Sequence, residues 1–90
     1  MYTIEQLLAN NQEWVAEHLQ LDAMYFEKMA QGQQPKFLWI GCSDSRVPPD
    51  QITKTSPADI FVHRNIANLV VQTDMNMLCV LQCAVDVLHV

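Results

Sequence analysis

From Ile4 onward the apolar residues recur at helical spacing, with Leu7, Leu8, Trp14, Val15 and Leu19 on one stripe of a 3.6-residue period. Thr3-Ile4-Glu5-Gln6 at its start fits a capping box, in which Thr3 is the N-cap and Gln6 reaches back. The pattern breaks near Leu21-Asp22. A second helical piece, Ala23 to Gln31, carries Met24, Phe26 and Met29 and stops at Gly32, a good C-cap residue. After Pro35 the period disappears and a continuous apolar run follows, which predicts a buried strand over Lys36–Gly41. Val47-Pro48-Pro49 forces an extended turn. Pro49-Asp50-Gln51-Ile52 opens a short helix, because proline is tolerated in a first turn. Ile60-Phe61-Val62-His63 predicts a second short strand. Asp74 or Thr73 caps a last helix over Met75–Val90, where Leu78, Leu81, Val85 and Leu88 recur at helical spacing beside Met77 and Ala84.

The order helix, strand, helix, strand, helix predicts an α/β fold with a parallel sheet. A helical N-terminal arm covers 1–34 and the first part of the α/β core covers 35–90. Two strands do not make a stable parallel sheet alone, and parallel sheets are normally covered on both faces. The sheet is therefore expected to be incomplete. The last helix meets no glycine, proline or basic turn before Val90, so the chain reads as cut there.

Composition sharpens this picture. Half of the 90 residues are apolar, more than a domain this small can hide, so part of that surface is expected to pack on a partner or on further sequence. A net charge of −5 argues against a general role on nucleic acid or anionic membranes. The few cations, Lys28, Lys36, Arg46, Lys54 and Arg64, then matter individually. The N-terminus lacks a basic region followed by an apolar core, and no apolar stretch is long enough to span a bilayer. Three cysteines without a disulfide-framework spacing predict a reducing, cytoplasmic location.

Cys42-Ser43-Asp44-Ser45-Arg46, where the first strand runs out, is the segment built for chemistry. In an extended segment alternate side chains share a face, so a thiol, a carboxylate and a guanidinium would converge there. Cys42 has three readings: a buried inert thiol, a nucleophile that wants a neighbouring base, or a zinc ligand that wants further Cys or His partners. A charged pair directly after a buried strand is costly unless it is solvated or specifically paired. Cys79 and Cys83 lie one helical turn apart and could ligate a metal with Cys42, though helix packing is the commoner use of such a pair. His18, His63 and His89 have no ligand spacing.

Phe37-Leu38-Trp39-Ile40-Gly41-Cys42-Ser43-Asp44-Ser45-Arg46-Val47-Pro48 resembles the first signature of the β-class carbonic anhydrases. Phe61 to Val70, with its Arg64-Asn65-Ile66-Ala67-Asn68 block, resembles the family's next block, and Ala84-Val85-Asp86-Val87-Leu88 the helix after it. The resemblance implies zinc-dependent, reversible hydration of carbon dioxide to bicarbonate. Cys42 matches the first zinc ligand. Asp44 matches the carboxylate that accepts a hydrogen bond from the attacking hydroxide and that ligates zinc in the closed state. Arg46 matches the partner that holds Asp44 off the metal. Gln33 falls where the family often has a glutamine donor to bicarbonate, and Phe61 and Ile66 fall at apolar positions of the carbon dioxide pocket. Trp39 and Arg64 match a subset of the family that binds a regulatory bicarbonate away from zinc. Cys83 stands where the family usually has an aromatic residue, and by register His89 precedes the family's zinc histidine.

The family completes its zinc site with a Gly-His-x-x-Cys segment, which these residues do not include. The expectation is either part of a longer enzyme or a catalytically inactive short homologue acting as a dimerisation module. A metal-binding or redox thiol protein using Cys42, Cys79 and Cys83 is the remaining alternative. The resemblance further implies a homodimer or larger homo-oligomer through the N-terminal arm and the apolar helices.

Overall fold

The computed structural model describes all residues, Met1–Val90. They form two compact units, Met1–Gly32 and Gln33–Val90. In the first unit, helix α1 spans Ile4–Leu21. The capping box is present: the Thr3 hydroxyl accepts the Gln6 N–H and the Gln6 side chain accepts the Thr3 N–H. Two orphan donors at the helix start are thereby satisfied.

The second helix, α2, covers only Tyr25–Met29, shorter than the periodicity predicts. Asp22 is the reason. It ends α1 in extended backbone, its carboxylate accepts the Met24 N–H at 3.0 Å, and it pairs with Lys28 at 2.9 Å. An aspartate that bonds its neighbouring backbone competes with helix. Trp14, His18, Tyr25 and Phe26 then close a small aromatic cluster, with Trp14 and Phe26 edge-to-face at 5.6 Å and Tyr25 and Phe26 at 4.9 Å. No residue of α1 is fully buried.

In the second unit, strand β1 is Phe37–Cys42 and strand β2 is Ile60–Asn65. They pair in parallel, from Phe37 beside Ile60 to Cys42 beside Asn65. Between them α3 spans Pro49–Thr53, with Pro49 in its first turn as the sequence predicts. Register fixes the two faces. Trp39, Gly41, Val62 and Arg64 lie on one; Leu38, Ile40, Cys42, Phe61, His63 and Asn65 lie on the other.

Gly41 is required on the first face. A Cβ there would overlap the Trp39 indole, 2.9 Å from Cδ1 and closer still to Nε1. Gly41→Ala is expected to destabilise the chain by about 1–3 kcal/mol through overpacking. That is a fall in Tm of several degrees or more, about 4–8 °C per kcal/mol for a domain of this size. Adding Trp39→Ala should relieve the overlap, so the double variant should melt no lower than Trp39→Ala alone. An unchanged Tm for Gly41→Ala would contradict the close approach.

The last helix departs from expectation. Helix α4 runs Met75–Gln82, capped by the Asp74 carboxylate on the Asn76 and Met77 N–H groups. A five-residue π-helical turn, Cys83–Val87, follows, and regular helix does not continue to Val90. The stop is His89, at φ 58. The Leu88 N–H donates to the Cys83 carbonyl and the Val90 N–H to the Ala84 carbonyl, which satisfies groups a helix end would orphan. Histidine tolerates the left-handed region better than most residues, so glycine was not needed.

Met77 and Ala84 are the buried apolar residues, at 2 % and 0 % exposure. Many large apolar side chains stay exposed, among them Ile66, Val70, Met75 and Val87. The expected surplus of apolar surface is thus present, and the sheet has two strands. No helix is long and apolar enough to cross a membrane.

Candidate active site

The β ladder ends one residue after Cys42, where the Ser43 N–H donates to the Asn65 carbonyl at 2.7 Å. The chain then turns instead of running on extended. Asp44 Oδ1 accepts the backbone N–H of Arg46 at 2.9 Å, an Asx-type turn. The Asp44 carbonyl accepts the Val47 N–H at 3.2 Å. Cys42, Asp44 and Arg46 are therefore brought together by a turn, not by the strand alternation that the sequence suggests. The Asp44 N–H itself folds back to Cys42 Sγ at 3.4 Å.

Arg46 grips Asp44 with both edges of the carboxylate. Nη2 donates to Oδ2 at 2.6 Å and Nε to Oδ1 at 2.9 Å, the fork geometry that only a guanidinium offers. The pair is open to water, with side-chain exposures of 84 % for Arg46 and 31 % for Asp44. Arg46 first, and its backbone N–H second, hold the Asp44 carboxyl below the ordinary carboxylate range. In return Asp44 raises the Arg46 guanidinium. Asp44 is thus a fixed anion at neutral pH, able only to accept hydrogen bonds.

The Cys42 thiol is likewise pulled below its ordinary range. The Asp44 N–H is the largest cause and the Ala67 N–H the second, while desolvation and the Asp44 charge oppose them. A thiolate is the form of cysteine that binds metal.

Two residues build this corner from the β2 side. Arg64 donates from Nε to the Cys42 carbonyl at 2.8 Å and from Nη2 to the Asp44 carbonyl at 2.5 Å. Asn65 staples the turn Ile66–Asn68: its Oδ1 accepts the Leu69 N–H at 2.6 Å and its Nδ2 donates to the Leu69 carbonyl at 2.8 Å. Inside that staple Ala67 is held at φ 65, a left-handed conformation that alanine does not seek by itself. The sequence reading missed Asn65 and Ala67 as builders of the site. Their signal was the Arg-Asn-x-Ala-Asn block directly after a strand, where an asparagine can replace missing ladder bonds.

The other named positions scatter. Phe61 lies on the Cys42 face of the sheet, and Ile66 follows β2, largely exposed. Gln33 does not reach Cys42 within this chain. It precedes β1, which spans about 17 Å from Phe37 to Cys42. There it lines a 400 Å³ cleft with Gln34, Lys36, Val87, Leu88 and His89. Trp39 and Arg64 share the opposite sheet face from the Cys42 side chain. His63 is buried, and its ring lies 3.2 Å from Asn65 Nδ2.

Zinc in a catalytic site takes three protein ligands and keeps one position open. Cys42 has the right chemistry for one. Asp44 is committed to Arg46, and no group of three or more His, Cys, Asp or Glu side chains comes together anywhere in the chain. Cys79 and Cys83 are thus not assembled with Cys42. These residues fit one corner of a zinc site and do not form a whole one.

Comparison with known proteins agrees with this geometry. A family model described as carbonic anhydrase matches residues 37–90. A carbonic anhydrase of Emericella nidulans is 43 % identical over 88 residues, covering 98 % of this chain and 39 % of that protein. One of two tetrameric β-carbonic anhydrases from Sordaria macrospora superposes with a TM-score of 0.89 at 46 % identity, over 93 % of this chain and 43 % of that one. The Coccomyxa β-carbonic anhydrase, solved in complex with acetazolamide, does so with a TM-score of 0.88 at 40 % identity, over 100 % of this chain and 40 % of that one. The chain thus spans about two fifths of the length of these relatives. With the Cys42 corner, the parallel β1–β2 pair and these matches in agreement, the chain belongs to the β-class carbonic anhydrase family.

Proposed function

We propose that this chain contributes a zinc-ligating thiolate and its neighbouring carboxylate–guanidinium gate to an enzyme that interconverts carbon dioxide and bicarbonate. The observation that carries the reading is the two-pronged Arg46–Asp44 pair held against Cys42. Zinc, when bound with further ligands, supplies hydroxide near neutral pH. The chain's own part is orientation. Ionised Asp44 can only accept, so a hydroxide beside it presents its hydrogen to the carboxylate and turns a lone pair toward carbon. Arg46 keeps Asp44 ionised and directs it away from the metal position; releasing that grip would let Asp44 take a metal ligand's place. Phe61 and Ile66 offer apolar surface to a substrate that has little else to hold.

Gln33 stands at the far end of β1 from its own Cys42, so a role at bound bicarbonate requires a second copy of the chain. A homo-oligomer fits that need, and fits the exposed apolar surface. We extend the same reading to the N-terminal arm as part of the contact. The three free cysteines fit a reducing compartment, and we propose the cytoplasm. A second reading concerns regulation. Trp39 and Arg64 lie on the sheet face opposite the Cys42 side chain, which suits a bicarbonate held away from the thiol by the Arg64 donors that its two carbonyl bonds leave free.

The test is zinc content measured together with stopped-flow carbon dioxide hydration on the protein expressed from its complete gene. Activity should rise in proportion to bound zinc. Zinc-loaded protein that hydrates carbon dioxide no faster than buffer would overturn the proposal.

A further inference from the structure

We infer that Arg64 is the positioning residue of the Cys42 corner, tying the end of β1 at Cys42 and the turn at Asp44 together and to β2 through their backbone carbonyls. The inference rests on the function proposed above only for its kinetic consequence; the clamp itself is geometric. Past the Ser43–Asn65 ladder bond, the hydrogen bonds of the Asp44–Arg46 segment are local ones, to Cys42 Sγ, Arg46 and Val47. A turn held only by its own neighbours is free to swing as a unit. Arg64 is the exception. Its two bonds span 22 and 20 residues of sequence and join the turn to the second strand.

The chemistry of the side chain suits the task. Nε and Nη2 lie on one edge of a rigid planar fork and reach the carbonyls of Cys42 and Asp44 together. The β1–β2 ladder supplies a donor to neither carbonyl: the Ser43 N–H points to β2, so the Cys42 carbonyl of the same trans peptide points away from it, and Asp44 lies past the ladder's end. Lysine has a single nitrogen and cannot reproduce that spacing. Arg46 acts on the Asp44 side chain, whereas Arg64 acts on the backbone beneath it. The two cations therefore control different degrees of freedom of one carboxylate.

The experiment combines spectroscopy with kinetics on the purified zinc-loaded protein. In labelled wild-type protein, a through-hydrogen-bond coupling should link Arg64 Nε to the Cys42 carbonyl carbon. Arg64→Ala should lose it, shift the amide resonances of Ser43 to Arg46, and lower kcat by about 100-fold, the effect of an ångström-scale misplacement. Arg64→Lys should recover little. Added methylguanidinium should restore part of the kcat of Arg64→Ala, which a general loss of stability would not allow.

The inference fails if Arg64→Ala leaves the Ser43–Arg46 resonances and kcat unchanged. It fails also if wild-type protein shows no coupling, a result that stands even where Arg64→Ala does not fold. Coupling and resonance shifts in a protein without hydratase activity would support the clamp while removing the proposed enzyme.

Discussion

Replacing Cys42 by serine should strip the protein of zinc and lower carbon dioxide hydration by more than about 100-fold. The lower bound follows from outer-shell partners of a metal, which alone are worth about 10- to 100-fold; a ligand must be worth more. The physical reason is the state of the sulfur. Cys42 lies at the end of β1 with the Asp44 and Ala67 amides directed at it, an arrangement that favours thiolate. A serine hydroxyl in the same place stays protonated and is a poor zinc ligand. Cys79→Ser and Cys83→Ser should keep their zinc, because neither cysteine is assembled with Cys42. Zinc per chain by elemental mass spectrometry decides the matter. Full occupancy in Cys42→Ser would remove this residue from the metal site, and loss of zinc in all three variants would favour a shared thiol site.

Arg46→Ala should lower kcat/KM by about 100- to 1,000-fold, the usual worth of a group that fixes charge in a reacting centre. The loss has two parts. Asp44 is no longer held in one orientation, and nothing then keeps it from the metal position. Linkage gives the pH dependence its sign. The folded-state pKa of Asp44 lies below its unfolded value, which is about 3.9 for a model aspartate. The pair's contribution is therefore fully present above the unfolded value and is lost as pH falls through the lower, folded value. Without Arg46 the Asp44 titration should move up in pH, toward the ordinary carboxylate range. A carbon-detected NMR titration of the Asp44 carboxyl tests this directly. An identical midpoint in wild type and Arg46→Ala would show that the guanidinium does not control the carboxylate. Arg46→Lys should fall between the two, because an ammonium gives one point of contact in place of a fork.

Most of the local structure was legible in the residues. The capping box at Thr3 and Gln6, the break at Asp22, the short helix opened by Pro49 and the cap at Asp74 are all nearest-neighbour chemistry. Each depends on a side chain bonding backbone within a few residues, so sequence spacing is sufficient information. The end of the last helix was less legible. His89 in a left-handed conformation stops it, and histidine carries no such signal as glycine would. The late start of α2 has a related reason: the Asp22–Met24 bond and the Asp22–Lys28 pair hold Ala23 and Met24 out of the helix.

Cys42, Asp44 and Arg46 were recognisable as a reactive group from residue type and order, because an apolar strand ending in charge demands compensation; that β1 is only half-buried, with Gly41 its one buried residue, was not legible, since its cover comes from outside these residues' own packing. Sequence by itself also determined that Arg46 has Asp44 within reach, since two residues apart is a local distance. What only the tertiary structure decided is where that group points. Strand alternation is the wrong geometry; a turn folds Asp44 back over Cys42, and the parallel pairing of β1 with β2 brings Arg64 and Ala67 to it from twenty or more residues away. Gln33, close in sequence to β1, ends at the strand's opposite end from Cys42. Register and crossover set those distances, and they arise from the whole chain's burial and pairing, which no local spacing encodes.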